Sequence, residues 1–473
     1  MDTQPQSSES RFVGYVESLA PSLGHADRAR PLKDYCTGLL MPGERKSVEP
    51  MAAVVAPSRV SAEHQSLLHF VGQASWSDEA MLGKVRELVL PAMETRGGPI
   101  EAWIVDDTGF AKKGVHSVGV ARQYCGRLGK TDNCQIAVTL SIANHAASLP
   151  IAYQLYLPED WSSDLARREK AHVPDDVKFK TKRQIALAQI KAALQDGVRP
   201  GVVLADAGYG VNGAFRAGLT RMGLTYAVGV QSHTSVWGPG VKPLPPAAWG
   251  GRGRPTTRLR RDVEHAPAQV KALAKSLTAA AWKEVTWREG SNDAMASRFA
   301  AARVRPAPAK GDETKLPAPE WLLVEWPQGE AEPTKYWLST LPENTSIEAL
   351  VDMTKLRWRI ERDYEELKSG LGLAHFEGRG FHHHGTLCIA AYGFLIRERA
   401  EIPPCGAARR EKPALSNRPT PRGAADPART TRRKLNRDHA AQPRRRNRGN
   451  AATMSVLSGH QAENTLLSTF MTQ

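Results

Sequence analysis

The chain has 473 residues, 41% of them hydrophobic, and a formal net charge of +15. That length allows two or three domains with a sizeable core, and that composition excludes a wholly disordered or fibrous chain. The positive balance favours a polyanionic partner, either nucleic acid or an anionic membrane surface.

No apolar run approaches the roughly eighteen residues that a membrane helix needs, and no signal-peptide pattern is present, so a cytoplasmic protein without membrane contact is expected. Cys36, Cys125, Cys134, Cys388 and Cys405 are scattered and form no CxxC pair. Structural disulfides and a cysteine zinc site are not expected. The charge is uneven: residues 403–450 hold 14 Lys/Arg against 3 Asp/Glu.

In chain order, residues 1–10 read as a loose leader and 11–95 as helical, with amphipathic segments opening at Phe12, Tyr35, His64 and Glu79. Two readings of this module stay open, DNA-end recognition or dimerisation on one side and a packing subdomain on the other. At Gly97 the texture changes to strand. Glu101–Thr108 is a short apolar run ending in Asp106 and Asp107, and strands are expected over 135–144 and 149–157 as an antiparallel meander. Lys112 and Lys113 follow the first carboxylates and suit either a phosphate contact or a solvated turn. Residues 159–180 read as a charged loop and Thr181–Gln195 as an amphipathic helix. Gly201–Asp206 is a buried-type strand ending in a carboxylate; 211–222 is helical and 225–230 another strand.

The stretch from Thr345 to Leu371, TSIEALVDMTKLRWRIERDYEELKSGL, opens on a capping-box pattern at Thr345 and Glu348 and predicts one uninterrupted helix. At about 100° per residue, Arg357, Glu361, Tyr364 and Lys368 share an arc of roughly 60° beside an apolar stripe of Met353, Leu356, Ile360 and Leu367. A charged row against the buried edge of a helix points to a carboxylate held at a cleft by flanking cations. Asp106 or Asp107, Asp206 and Glu361 then form a candidate carboxylate set. Phosphodiester chemistry needs such a set, because two divalent ions about 3.5–4 Å apart stabilise the entering and leaving oxygens and prefer oxygen ligands.

Two other patterns compete. Gly208, Gly210 and Gly213 fit GxGxxG, but Asp206 directly before them would repel a pyrophosphate, and no acidic residue ends the next strand. His382, His383 and His384 are consecutive and converge poorly on one ion, so they are read as touching phosphate or solvent.

Arg357-Trp-Arg-Ile-Glu361 followed by Lys368 resembles the tyrosine–arginine–glutamate–lysine signature of bacterial insertion-sequence DDE transposases. The arginine-to-glutamate and glutamate-to-lysine spacings match, whereas the tyrosine position falls on Thr354. Asp106-Asp107-Thr108 fits the family's first Asp, with Asp106 as ligand and Asp107 as fallback, and Asp206 fits the second. The resemblance covers roughly residues 97–395. It implies an α/β fold: a ribonuclease-H-like mixed sheet core with an inserted β-rich subdomain, an N-terminal helical region and a disordered basic C-terminal tail.

The implied divisions are 1–96, a helical DNA-end-binding or dimerisation region; 97–230, the first part of the catalytic core; 231–341, the insertion; 342–400, the second part with the Glu helix; and 401–473, the tail. The insertion opens with a Gly/Pro/Arg-rich loop over 238–261 and carries Trp282, Trp287, Trp321, Trp326 and Trp337 in its second half. Relatives use an insertion aromatic to hold a flipped base, although core packing accounts for most of these residues. The tail reads as a DNA-gripping arm or as a solubilising or frame-altered terminus.

Further implications are two Mg²⁺ or Mn²⁺ ions on Asp106, Asp206 and Glu361, and phosphate contacts from Arg357 and Lys368. The partner is double-stranded DNA, as terminal inverted repeats and target. A homodimer would synapse two ends in the bacterial cytoplasm, nucleoid-associated when bound to DNA. The implied activity is DNA nicking and strand transfer. The alternatives are a ribonuclease-H-like nuclease without strand transfer and a catalytically dead DNA-binding derivative.

Overall fold

The computed structural model describes residues 7–289, 294–308, 314–376 and 380–402. The basic tail expected over 401–473 lies outside the described residues from 403 onward, as does most of the leader expected over 1–10.

The N-terminal segment forms helices α1 (Ser8–Leu19), α2 (Ala29–Leu40), α3 (Val48–Val55), α4 (Val60–Gly72) and α5 (Asp78–Gly97). Next come β1 (Ala102–Ala111), β2 (Ala121–Cys125), β3 (Lys130–Ala143) and β4 (Ser148–Leu155). Where a charged loop was expected, two short helices occur, α6 (Glu159–Ser163) and α7 (Leu165–Lys170). The Asp164 carboxylate accepts from the Arg167 N–H at 2.9 Å, and this cap gives the charged segment a helical start. Then follow α8 (Lys182–Gln195), β5 (Val202–Ala205), α9 (Ala207–Gly210), α10 (Gly213–Arg221) and β6 (Tyr226–Val230). Thr181 and Gln184 close a reciprocal capping box on α8.

The inserted region contributes β7 (Ser235–Trp237), β8 (Ala268–Gln269), α11 (Val270–Ser276), β9 (Lys283–Glu289), β10 (Ala294–Pro306), β11 (Glu320–Trp326) and β12 (Lys335–Ser339). The chain closes with α12 (Ile347–Lys355), α13 (Trp358–Glu365), a π-helical turn over Glu366–Gly370, and α14 (Phe381–Glu401).

Among the described residues the strands join one 12-stranded sheet in the order β2-β3-β1-β5-β6-β12-β11-β10-β7-β8, with β4 on β3 and β9 on β10. β1 pairs antiparallel with β3 and parallel with β5, and β5 pairs parallel with β6. This is the ribonuclease-H-like mixed arrangement. The inserted strands form no separate layer, because β12 pairs antiparallel with β6 and carries the hydrogen-bonded ladder straight on.

Residues alternate across a strand, so β1 divides its side chains between two cores. Trp103 and Val105 enter the large core shared by the N-terminal helices, α8, α10 and α14, whereas Ala102 and Ile104 pack with Leu204, Ala227, Leu356 and Ile360. The N-terminal helices therefore bury their apolar faces in the same core as the sheet. In the insertion, Trp287, Trp321 and Trp337 pack around Phe299, Leu323 and the α12 residues Leu350 and Val351. Trp282 and Trp326 meet edge to face with ring centres 5.3 Å apart.

The uninterrupted helix predicted over 345–371 is a correction. α12 and α13 are separate helices joined by a turn at Leu356 and Arg357, and the cap is Ser346, whose hydroxyl accepts from the Ala349 N–H, rather than Thr345. The Thr354 hydroxyl donates back to the Leu350 or Val351 carbonyl, at 2.9 and 3.0 Å. Such back-bonding competes with the helix ladder and bends helices. The histidine triplet is corrected at His384, which is buried, whereas His382 and His383 are half-buried. None of the three is a free surface group: His383 stacks on Trp76 at 3.7 Å between ring centres, His382 accepts the Leu155 N–H, and His384 is buried between the Tyr35 hydroxyl and the Gly372 carbonyl. Burial holds the His384 imidazole well below its usual range, at about 4, so it stays neutral.

Candidate active site

Two carboxylates are delivered by neighbouring parallel strands. Val105 of β1 is in register with Ala205 of β5, so Asp106 and Asp206 occupy equivalent positions one residue further on. The alternation that points Ile104 and Leu204 toward α12 and α13 sets Asp106 and Asp206 on that same side. Asp206 also caps α9, accepting from the Tyr209 N–H at 3.3 Å.

Asp107 belongs to the opposite side, where its carboxylate is ion-paired with Lys182 at the start of α8. Lys182 escaped the sequence reading, although a signal was present. Lys182 and Arg183 sit in the first turn of α8, where the helix dipole disfavours cations. Asp107 offsets the first of these charges, and the Gly208 carbonyl accepts from the Arg183 guanidinium at 3.0 Å.

Opposite Asp106 stands the turn between α12 and α13. The Arg357 guanidinium donates to Asp106 Oδ2 at 2.7 Å and to Glu361 Oε1 at 3.0 Å, so one side chain spans two carboxylates. Asp106 is 14% exposed and Glu361 67%, which makes the first the buried end of this bridge and the second its solvent end. Lys368 donates to the Gly109 carbonyl at 3.0 Å and lies 5.0 Å from the centre of the Phe110 ring, tying the π-helical turn to β1. The hydroxyls of Tyr364 and Thr139 are 2.5 Å apart, joining α13 to β3. Lys112 lies 3.8 Å from the centre of the Phe376 ring, and burial lowers its ammonium pKa, whereas Lys113 is exposed. Thr354, at the tyrosine position of the signature, is buried and uses its hydroxyl within α12.

Burial raises the Asp106 carboxyl to about 7; Arg357 opposes this shift, and the neighbouring charges of Asp206 and Asp107 add to it. The Tyr209 hydroxyl is buried in the same field of Asp107, Asp106 and Asp206, and among the described residues it has no hydrogen-bond partner. Hard oxygen donors, crowded negative charge and an unsatisfied buried hydroxyl together fit a divalent cation. Among the described residues, no three His, Cys, Asp or Glu side chains stand close enough to hold one ion as a ready-made cage. Glu361 is instead held by Arg357.

Of the glycines after Asp206, Gly210 has a packing reason. A Cβ on Gly210 would lie 2.1 Å from the Gly229 carbonyl oxygen, so α9 can rest on β6 only without a side chain there.

Comparison with known proteins gives two results. A family model described as DDE superfamily endonuclease matches residues 18–294. A probable transposase for insertion sequence element IS701 from Microchaete diplosiphon is 33% identical over 223 residues, which is 47% of this chain and 53% of that protein. The chain thus spans about half the length of this curated relative.

Proposed function

Because the chain belongs to the DDE superfamily endonucleases, we propose that it is the transposase of an insertion sequence, cutting DNA at the element's ends and joining the freed 3′-OH to target DNA. The observation that carries this reading is the pair Asp106 and Asp206, each one residue beyond the last registered pair of β1 and β5, with Arg357 of the turn and Glu361 of α13 facing Asp106. The similarity to a probable IS701 transposase supports the extension from endonuclease to transposase.

Asp106, Asp206 and Glu361 would hold the cations, and Asp107 stays paired with Lys182. When bound, two Mg²⁺ or Mn²⁺ ions supply charge stabilisation at the attacking and leaving oxygens of the phosphodiester. The chain's own residues orient the strand. Arg357 offers a planar fork matched to a phosphate, and Lys368 a point charge anchored at the end of β1. In the first step water attacks the phosphodiester and the 3′ oxygen leaves with a proton. In the second, that 3′-OH attacks a target phosphodiester and displaces a new 3′ oxygen. Synapsis of two ends calls for a homodimer, with Lys112 and Lys113 as further phosphate contacts.

The test is nicking of a labelled duplex carrying the element's own end, by the full chain, with Mg²⁺ or Mn²⁺ added. Nicking lost in Glu361→Gln with DNA binding retained supports the reading, and a joined product separates transposase from nuclease. A second reading, a DNA-binding derivative without cleavage, is favoured by the placement of Glu361 on Arg357 rather than beside Asp206. Retained binding with no nicking by the wild type under either cation would select it.

A further inference from the structure

Arg357 is the one residue that touches both Asp106 and Glu361 in the described contacts, at 2.7 and 3.0 Å. It lies on the turn between α12 and α13 rather than inside either helix. The Asp107 charge is met separately by Lys182, so Arg357 answers for the negative charge on the side of the sheet that Asp106 and Asp206 share. A divalent cation seeks the same oxygens, and a guanidinium and a metal ion cannot both sit against Asp106 Oδ2 without strong like-charge repulsion.

We propose that Arg357 is a built-in counter-cation that is exchanged for a divalent ion: the guanidinium holds Asp106 and Glu361 together while the site waits, and withdraws to a DNA phosphate when the ion enters. This inference rests on the endonuclease reading and adds an order of events to it. A phosphate of the bound strand is a better bidentate partner for a released guanidinium than water is. DNA and metal therefore favour each other's binding, and linkage makes the effect reciprocal. Glu361, with its solvent-facing carboxylate, is free to turn inward once Arg357 releases it.

The experiment measures Mn²⁺ binding to the full chain by electron paramagnetic resonance, with and without a short duplex of the element's end. Arg357→Gln is expected to bind Mn²⁺ roughly 5- to 100-fold more tightly than wild type in the absence of DNA. Adding the duplex is expected to tighten Mn²⁺ binding by a larger factor in the wild type than in the variant, because only the wild type has a guanidinium to displace; equal factors would overturn the proposal. Arg357→Lys keeps the charge but cannot bridge both carboxylates, so it is expected to fall between the two. A general field effect would instead leave it equal to wild type, which would overturn the proposal. Equal or weaker Mn²⁺ binding by Arg357→Gln, with an unchanged unfolding midpoint, would also overturn it. If Arg357→Gln fails to fold, Arg357→Lys carries the comparison. Absence of Mn²⁺ binding in every variant, with DNA present, would remove the endonuclease reading as well.

Discussion

Asp106 and Asp206 stand one residue beyond the registered pair Val105 and Ala205, so two acids 100 residues apart in sequence become next-strand neighbours. Asp107, although adjacent in sequence, faces α8 and pairs with Lys182. This difference separates their expected contributions. Asp106→Asn should lower the metal-dependent nicking rate by about 100-fold or more, the scale at which loss of one directly acting polar group is felt. Asp107→Asn should cost much less. Single-turnover nicking assays on both variants, with folding checked by circular dichroism, decide this, and equal losses would contradict the assignment.

Lys355 donates to both Glu325 oxygens at 2.8 Å and lies 4.1 Å from the centre of the Trp287 ring, fastening α12 to the inserted strands. The Glu325 side chain is only 4% exposed. Lys355→Met should therefore destabilise the fold by up to about 3 kcal/mol, since Glu325 is left with only the longer contact to Lys335 at 3.8 Å. Lys355→Met with Glu325→Gln should recover part of that loss. Urea unfolding of both single variants and the double variant measures the coupling.

Asp363 is fully buried, accepting from the Ser148 hydroxyl at 2.5 Å and from the Tyr392 hydroxyl at 2.9 Å, and burial lifts its carboxyl to about 7. The native state thus keeps a proton that the unfolded chain, titrating near its ordinary value, has lost. Stability should fall as pH rises from about 4 to about 7 and level off above that, by a few kcal/mol in order of magnitude. Asp106 is shifted in the same direction. Denaturant unfolding at pH 5, 6, 7 and 8 reads the slope, and Asp363→Asn should flatten it; a slope of opposite sign would refute the account.

The loop over 238–261 contains Lys242, Arg252, Arg254, Arg258, Arg260 and Arg261 and no acidic residue. Trp249 is 58% exposed, with its indole N–H donated to the Gly253 carbonyl at 3.0 Å. Replacing Arg252, Arg254 and Arg258 with Ala should weaken DNA binding across sequences. It should also reduce the slope of log K against log salt by up to about 3, near one unit per lost phosphate contact. Fluorescence anisotropy at several salt concentrations measures this.

Much of the core was legible because apolar runs mark strands, as at Trp103–Val105 and Val203–Ala205; Asp206 does mark the end of β5, whereas β1 continues past Asp106 and Asp107 to Ala111 because β3 stays paired with it. The pairing of β12 with β6 was not legible, since its partners Tyr336 and Val230 lie 106 residues apart and neither strand's pattern names the other. The break between α12 and α13 was hidden in a sequence with no Pro or Gly; the back-bonded hydroxyl of Thr354, just ahead of the turn, is a bending influence that the sequence pattern does not display. The histidines of α14 looked polar and available. Contacts with Trp76, Leu155 and Tyr35, which are distant in sequence, take up all three and bury His384 fully. Lys182 is the instructive omission, because a cation at a helix start asks for a carboxylate in front of it.

The unbroken ladder from β6 into β12 makes the inserted strands act as a fixed ruler. The separation of the outer inserted strands from Asp106 and Asp206 is set by backbone hydrogen bonds running through β10, β11, β12, β6 and β5. Lengthening the loop at residues 231–234 should leave that calibration intact, whereas a proline at Leu338 within β12 would erase it.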